Sequence, residues 1–363
     1  MHYSALQQFN LGIVGGGQLG RMTALAAHQL GIKVHVFADQ PGAPALAVTP
    51  HHTLAAYDDL QALRQFARQV DCITFEFENI PAAGLQKLVE EGAVVRPGLQ
   101  ALAISQDRLA EKKLACQLGI AVADFVAVNN LPQLQAALVK RKHQQALPCI
   151  LKTRSMGYDG KGQVRIEQPE QAAAAWDAIQ HRPAIVESYV GFAQEVSMIT
   201  ARSVSGAIKH FPLAANLHRQ HILAETRVPA QVSAAIWQQA RHTAEALVQQ
   251  LNLVGLLTVE FFVTRQQTLV FNEMAPRPHN SGHWTQDFCT TSQFEQLVRA
   301  VCGLPLGSVA YRPAKMVNLL GQDMQRLPEL LNHPEAKVHL YGKTKNAPER
   351  KMDFCFRVIQ QFR

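Results

Sequence analysis

Two apolar runs either side of a short polar link constrain this chain most. Gly255-Leu-Leu-Thr-Val-Glu-Phe-Phe-Val263 and Thr268-Leu-Val-Phe-Asn-Glu-Met274 are β-branched and aromatic, and Arg265-Gln266-Gln267 lies between them, so the segment predicts an antiparallel β-hairpin. If Gln266 and Gln267 form a two-residue loop, Glu260 falls directly opposite Glu273, with Cβ atoms about 4.5–5.5 Å apart on one face. Like charges so placed weaken a hairpin unless one is protonated or a cation lies between them. With Asn272 beside them, the acceptor-only pair suits a hard cation such as Mg2+, which takes oxygen ligands and shares them with phosphate. A different loop length would leave two solvated edge glutamates.

The 363 residues suffice for two or three domains with ample core. A hydrophobic fraction of 47% with 17% charged residues describes a globular chain. The net charge of +7 is scattered, without a Lys/Arg run or an aromatic stripe, which favours small anionic substrates over nucleic acid. The six cysteines form no C-x-x-C pair, and Cys72, Cys116 and Cys149 lie in apolar stretches, as reduced thiols of a cytoplasmic protein do. Met1 to Asn10 lack a signal-peptide core, and no apolar run approaches the roughly 18 residues that a membrane span needs.

The first third alternates strand and helix. Strands are expected at Leu11–Val14, Lys33–Phe37, Asp71–Phe75 and Ala93–Val95, with helices at Gln18–Leu30 and Ala82–Glu91. This βαβ rhythm predicts a doubly wound parallel sheet. One amphipathic helix is then expected from Leu99 to Leu118, ended by Gly119. From Val122 to Val190 short strands and two helices (Leu131–Lys142, Pro169–Gln180) suggest a small α+β lobe. A larger lobe follows, with strands near Glu195–Ser203 and Ile208–Pro212, a helix near Ala230–Leu251, and the hairpin.

Four further motifs carry chemistry. Gly15-Gly-Gly17-Gln18-Leu19-Gly20 stands between a strand and a helix, where backbone amides could hold a phosphate, and Asp39 stands where a ribose-binding acid would. That pattern alone allows a dinucleotide oxidoreductase, a ribonucleotide site or a tight structural turn. Lys152-Thr-Arg-Ser-Met-Gly157-Tyr158-Asp159-Gly160-Lys161-Gly162-Gln163 joins two strands through a glycine loop with two lysines, which suits phosphate oxygens but lacks the Walker A order. Ile185 to Val190 offers an acid and free backbone at a strand end, a plausible adenine and ribose edge. After Glu273 runs Met274-Ala-Pro-Arg277-Pro-His279-Asn280-Ser-Gly-His283-Trp284-Thr285, a constrained polar loop suited to anion positioning. Its two histidines have i, i+4 spacing, but Pro278 and Gly282 argue against a helical zinc site.

Gly15 to Arg21, Gly157 to Gln163 and Asn272 to Thr285 together resemble the N5-carboxyaminoimidazole ribonucleotide synthetase family of ATP-grasp ligases, over about residues 10 to 352. The resemblance implies an ATP-grasp fold: a Rossmann-like N-terminal domain (1–105), an ATP-grasp domain (106–300) with a mobile lid lobe at about 121–190, and a C-terminal subdomain (301–363). It implies carboxylation of 5-aminoimidazole ribonucleotide with bicarbonate and ATP, Mg2+ as cofactor, and a homodimer. ATP would be bound by Arg108, Lys152, the Gly157–Gln163 loop, Glu187, Ser188, Tyr189, Val190, Glu195, His218, Asn272 and Glu273. Glu260 and Glu273 would hold Mg2+. Gln18, Leu19, Glu76, Arg277, His279 and Lys351 would surround the ribonucleotide and bicarbonate, with Tyr158, Arg277, His279 and Lys351 closest to the chemistry; Glu78 could replace Glu76.

The tail departs from the family pattern. After Met352 the family continues with Gly-His and further β elements, whereas this chain reads Asp353-Phe-Cys-Phe-Arg-Val-Ile-Gln-Gln-Phe-Arg363. The expectation is a truncated terminal subdomain, from a shifted or shortened reading frame, that leaves the position of Lys351 and local stability in doubt.

Overall fold

The computed structural model describes residues 8–157, 160–342 and 351–358. The N-terminal domain is a four-stranded parallel sheet in the order β3-β2-β1-β4, formed by β1 (Asn10–Val14), β2 (Lys33–Ala38), β3 (His52–Leu54) and β4 (Cys72–Phe75). Helix α1 (Gln18–Gln29) covers one face, while α2 (Leu60–Ala67) and α3 (Ala82–Glu90) cover the other. Burial on both faces is why β1 reads as continuous apolar sequence. The strand expected at Ala93–Val95 shrinks to one bridge between Val95 and Ile73, because Pro97 follows and has no N–H to extend the ladder.

The single helix expected from Leu99 to Leu118 is two, α4 (Leu99–Ser105) and α5 (Arg108–Gln117). Asp107 breaks it by accepting the Leu109 amide at 2.9 Å, an N-cap bond that competes with helix continuation. Gln106 crosses back to the N-terminal domain and donates to the Glu78 and Ile80 carbonyls at 2.6 and 2.7 Å. The new N-terminus starts α5 at Arg108, whose side chain then lines the site.

The lid lobe is an antiparallel sheet in the order β5-β8-β6-β7, from β5 (Phe125–Val128), β6 (Cys149–Thr153), β7 (Gln163–Ile166) and β8 (Ala184–Ser188). It packs on α6 (Leu131–His143) and α7 (Ala172–Ala178) around its own core of Leu134, Leu138 and Trp176. The large sheet runs β14-β13-β9-β11-β12-β15-β17-β16, with β10 (Ile208–His210) beside β9 (Phe192–Arg202). Its remaining strands are β11 (Ala214–Arg219), β12 (Ile222–Val228), β13 (Gly255–Thr264), β14 (Leu269–Ala275), β15 (Ala314–Leu320), β16 (Lys337–Leu340) and β17 (Lys351–Val358). Helix α8 (Ala234–Gln250) buries Ile236, Ala240, Ala244 and Leu247 against β9 and β13. After the short α9 (Thr285–Phe288), α10 (Gln293–Val301) shares one core with α1, so the N-terminal domain and the large sheet are packed together. β17 lies between β15 and β16, so part of the unusual tail completes the sheet rather than leaving a gap there. No described helix is long and apolar enough to cross a membrane.

Glu260 does pair with Glu273, but not through the expected loop. The Thr264 amide bonds the Thr268 carbonyl at 3.0 Å, so three residues, Arg265 to Gln267, form the turn. Gln267 takes φ +58, as a three-residue hairpin loop requires. Phe261 then faces Phe271, and Asn272 is an extra residue in β14. That bulge shifts the register by one and restores the Glu260–Glu273 pair.

Candidate active site

A cavity of about 1200 Å3 lies where the glycine turn, the lid sheet and the large sheet meet. Both hairpin glutamates line it, so their side chains share a face. β14 contributes Asn272 and Glu273, β13 contributes Glu260, and the loop after β14 contributes Arg277 and His279. The lid sheet brings Lys152, Gln163, Glu187 and Ser188, followed by Tyr189 and Val190, and its glycine loop brings Gly157 and Gly160. Glu195, His218, Arg108, Gln18 and Leu19 complete the expected set. Lys161 is exposed, and neither it nor Gly162 lines the cavity. Tyr158 and Asp159 lie outside the described residues, as does the side chain of Lys351.

Carboxylates in this cavity face cations supplied by other elements. Glu273 pairs with Arg108 and Glu78 with Arg277. His279 Nε2 lies 3.0 Å from Glu260 Oε1, and His218 Nδ1 pairs with Glu195. Burial alone would raise Glu273, but Arg108 and Lys152 outweigh it and hold the carboxyl well below its ordinary range. The same contest at Glu78 is won by Arg277, which keeps that carboxylate ionised. Glu187 lies 2.6 Å from Lys152 and 2.9 Å from Lys112, which overcome burial and bring it down to about 2. Glu111, beside Glu273, moves the other way, because burial and then that neighbour push it well above the usual carboxylate range. Its Oε1 accepts the Met274 amide at 3.0 Å.

The first glycine turn is already filled. Glu76 accepts from the Gly17 amide and, at 2.7 Å, from the Gly20 amide, the groups that would meet a dinucleotide phosphate. A Cβ on Gly15 would lie 2.3 Å from Glu76 Cγ, and one on Gly17 would lie 2.6 Å from its Oε1. The glycines therefore admit a protein carboxylate, which removes the reason for the oxidoreductase reading. Glu76 is 8% exposed and does not line the cavity, whereas Glu78 does. His279 and His283 diverge: His279 faces Glu260, while His283 is buried and its Nδ1 lies 3.0 Å from Gln293 Nε2.

Sequence reasoning missed Lys112 and Glu111. They sit within what looked like an ordinary amphipathic helix, and the only available signal was charge on its apolar side. Asp107 and Arg154, a salt bridge joining the helix break to the lid, were missed for the same reason.

The donor set fits a hard cation. Glu260, Glu273 and Asn272 present oxygens across adjacent strands. No group of three or more His, Cys, Asp or Glu side chains suited to a metal occurs among the described residues, so the rest of a coordination shell must come from water or phosphate, as Mg2+ prefers.

Comparison with known proteins agrees with this geometry. Residues 9–106 match the ribonucleotide synthetase preATP-grasp domain, 113–294 the ATP-grasp domain, and 314–353 the phosphoribosylaminoimidazole carboxylase C-terminal domain. The N5-carboxyaminoimidazole ribonucleotide synthase of Brucella melitensis is 45% identical over 351 residues, covering 96% of each chain. A solved N5-carboxyaminoimidazole ribonucleotide synthetase in complex with ADP superposes with a TM-score of 0.93 at 41% identity, covering 98% of this chain and 93% of that one. The Aspergillus clavatus enzyme with ADP and 5-aminoimidazole ribonucleotide gives a TM-score of 0.90 at 28% identity, covering 97% and 94%. With its parallel-sheet domain, lid and large sheet in the same arrangement, the chain belongs to the N5-carboxyaminoimidazole ribonucleotide synthase family of ATP-grasp proteins.

Proposed function

We propose that this chain carboxylates 5-aminoimidazole ribonucleotide in purine biosynthesis, using ATP and bicarbonate and releasing N5-carboxyaminoimidazole ribonucleotide, ADP and phosphate. The observation that carries the reading is the Glu260–Glu273 pair lining one cavity with Arg277 and His279. A bicarbonate oxygen attacks the γ-phosphorus and the bond to the ADP oxygen breaks, giving carboxyphosphate. The exocyclic amine of the ribonucleotide then attacks the carboxyl carbon, phosphate leaves, and the amine loses a proton.

Bringing bicarbonate to ATP joins two anions, so the protein must supply positive charge. Arg108 and Lys152 sit on the carboxylates nearest the phosphate side and can turn to the nucleotide. Mg2+ held by Glu260 and Glu273 would neutralise the transferring phosphoryl group. Arg277 and His279 line the same cavity, His279 directly beside Glu260, and hold the bicarbonate and the ribonucleotide. By likeness of sequence, Tyr158 and Lys351 take part in the same step. The Gly157–Gln163 loop closes over the reacting groups and excludes water, which would otherwise hydrolyse carboxyphosphate. Glu78, rather than Glu76, serves as the acid beside Arg277.

The same reading extends to a homodimer, testable by light scattering, and to the cytoplasm, where free thiols such as those of the described cysteines stay reduced. Activity is tested by ADP release with each substrate omitted in turn. Release that needs both bicarbonate and the ribonucleotide supports the assignment, and release with neither argues for an idle ATPase or another ligase.

A further inference from the structure

We propose that Lys112 is a positioning residue that holds Glu187 as its lasting counter-ion and thereby frees Lys152 for the nucleotide phosphates. The inference rests on the ATP reading of the cavity and adds a residue outside it. Lys112 Nζ is 2.9 Å from Glu187 Oε1, and Lys152 Nζ is 2.6 Å from Oε2. One buried carboxylate thus carries two ammonium groups. They differ in access: the Lys112 side chain is 2% exposed and does not line the cavity, whereas that of Lys152 is 12% exposed and does.

Lys112 is held where it is. Its Nζ donates to the Phe271 carbonyl at 3.3 Å and lies 5.5 Å from the centre of the Phe271 ring. It follows Arg108 by four positions on α5, so the two cations share a helix face and meet carboxylates of two different sheets. Lys152 has a second, looser contact, 3.4 Å to Asn272 Oδ1 beside Glu273.

A buried carboxylate stripped of its last counter-ion is strongly destabilised. With Lys112 present, Lys152 can swing from Glu187 to a phosphate oxygen and leave the carboxylate still paired. Without Lys112, phosphate must compete with Glu187 for one lysine. Loss of Lys112 should therefore weaken binding of phosphate-bearing nucleotides while sparing the nucleoside.

The test is calorimetric titration of ADP and of adenosine, with EDTA present, into the wild-type chain, K112M, E187Q and K112M/E187Q. K112M should bind ADP about tenfold more weakly and change adenosine affinity by less than about twofold. In the E187Q background the same substitution should leave the ratio of the two affinities unchanged, because no carboxylate remains to detain Lys152. Equal losses for both ligands, no loss for either, or a full loss that persists with E187Q would each overturn the proposal. If K112M fails to fold, K112M/E187Q, which removes both buried charges, must keep the ratio of E187Q; a collapsed ratio overturns it. A wild-type chain that binds neither ligand would instead sink the ATP reading itself.

Discussion

Glu76 and Glu187 are both nearly buried, at 8% and 3% exposure, but their partners differ in kind. Glu76 is satisfied by backbone amides of a turn whose glycines leave no space beyond the carboxylate. Glu187, like Glu273, is satisfied by long side chains from other elements. Backbone donors cannot leave, so the first region is closed and structural. Lys152 and Arg108 can rotate toward an incoming anion, so the second is a charged cavity already equipped for phosphate. A glycine-rich turn is therefore a phosphate site only while its amides are vacant.

The sharpest break of this contrast is Glu273→Ala. It should lower ATP turnover by about a thousandfold or more while the circular dichroism spectrum stays that of the folded chain. Near-normal kinetics would remove Glu273 from the metal site. Next, Arg277→Met should cut kcat/KM for the ribonucleotide by about a hundredfold with little change in ADP affinity. Equal losses for both would mean that Arg277 supports the whole cavity rather than one end.

Glu76→Gln tests the closed region. A glutamine cannot accept from both amides without turning its own NH2 toward one of them. Stability should fall by about 1–3 kcal/mol in urea denaturation, with the KM for the ribonucleotide almost unchanged. A raised KM without lost stability would return Glu76 to the substrate. The smallest effect is in pH. Glu187 titrates at about 2 in the folded chain and near 4.3 unfolded, so its pairing stabilises above the unfolded value and fades as pH falls toward the folded one. The stability gap between wild type and Glu187→Gln, on the order of 2–3 kcal/mol at pH 6, should shrink steadily between about pH 4.5 and 2. A gap that stays constant over that range would mean the ion pairs contribute little.

Much of this was legible in the residues. The parallel-sheet domain, the lid and the hairpin follow from apolar periodicity, and most of the expected site residues line one cavity. The hairpin pairing was reached by two compensating errors: the loop is one residue longer than expected, and the bulge at Asn272 absorbs the difference. Periodicity cannot report a bulge, because it depends on local backbone geometry. Nor could it reveal the break at Gln106–Asp107, where one capping aspartate outweighs a continuous amphipathic pattern. Lys112 escaped because a buried lysine is recognised only by partners distant in sequence, here Glu187 and the Phe271 carbonyl. Strand β17 was illegible in the tail for another reason: it needs backbone partners in β15 and β16 more than it needs a familiar sequence.

ADP formation by the purified chain, with ATP and Mg2+ present and either bicarbonate or 5-aminoimidazole ribonucleotide withheld, tests the account most directly. Release should be rapid only when both are supplied, with one carboxylated ribonucleotide formed for each ADP. ADP release indifferent to the ribonucleotide, or no release under any combination, would contradict it.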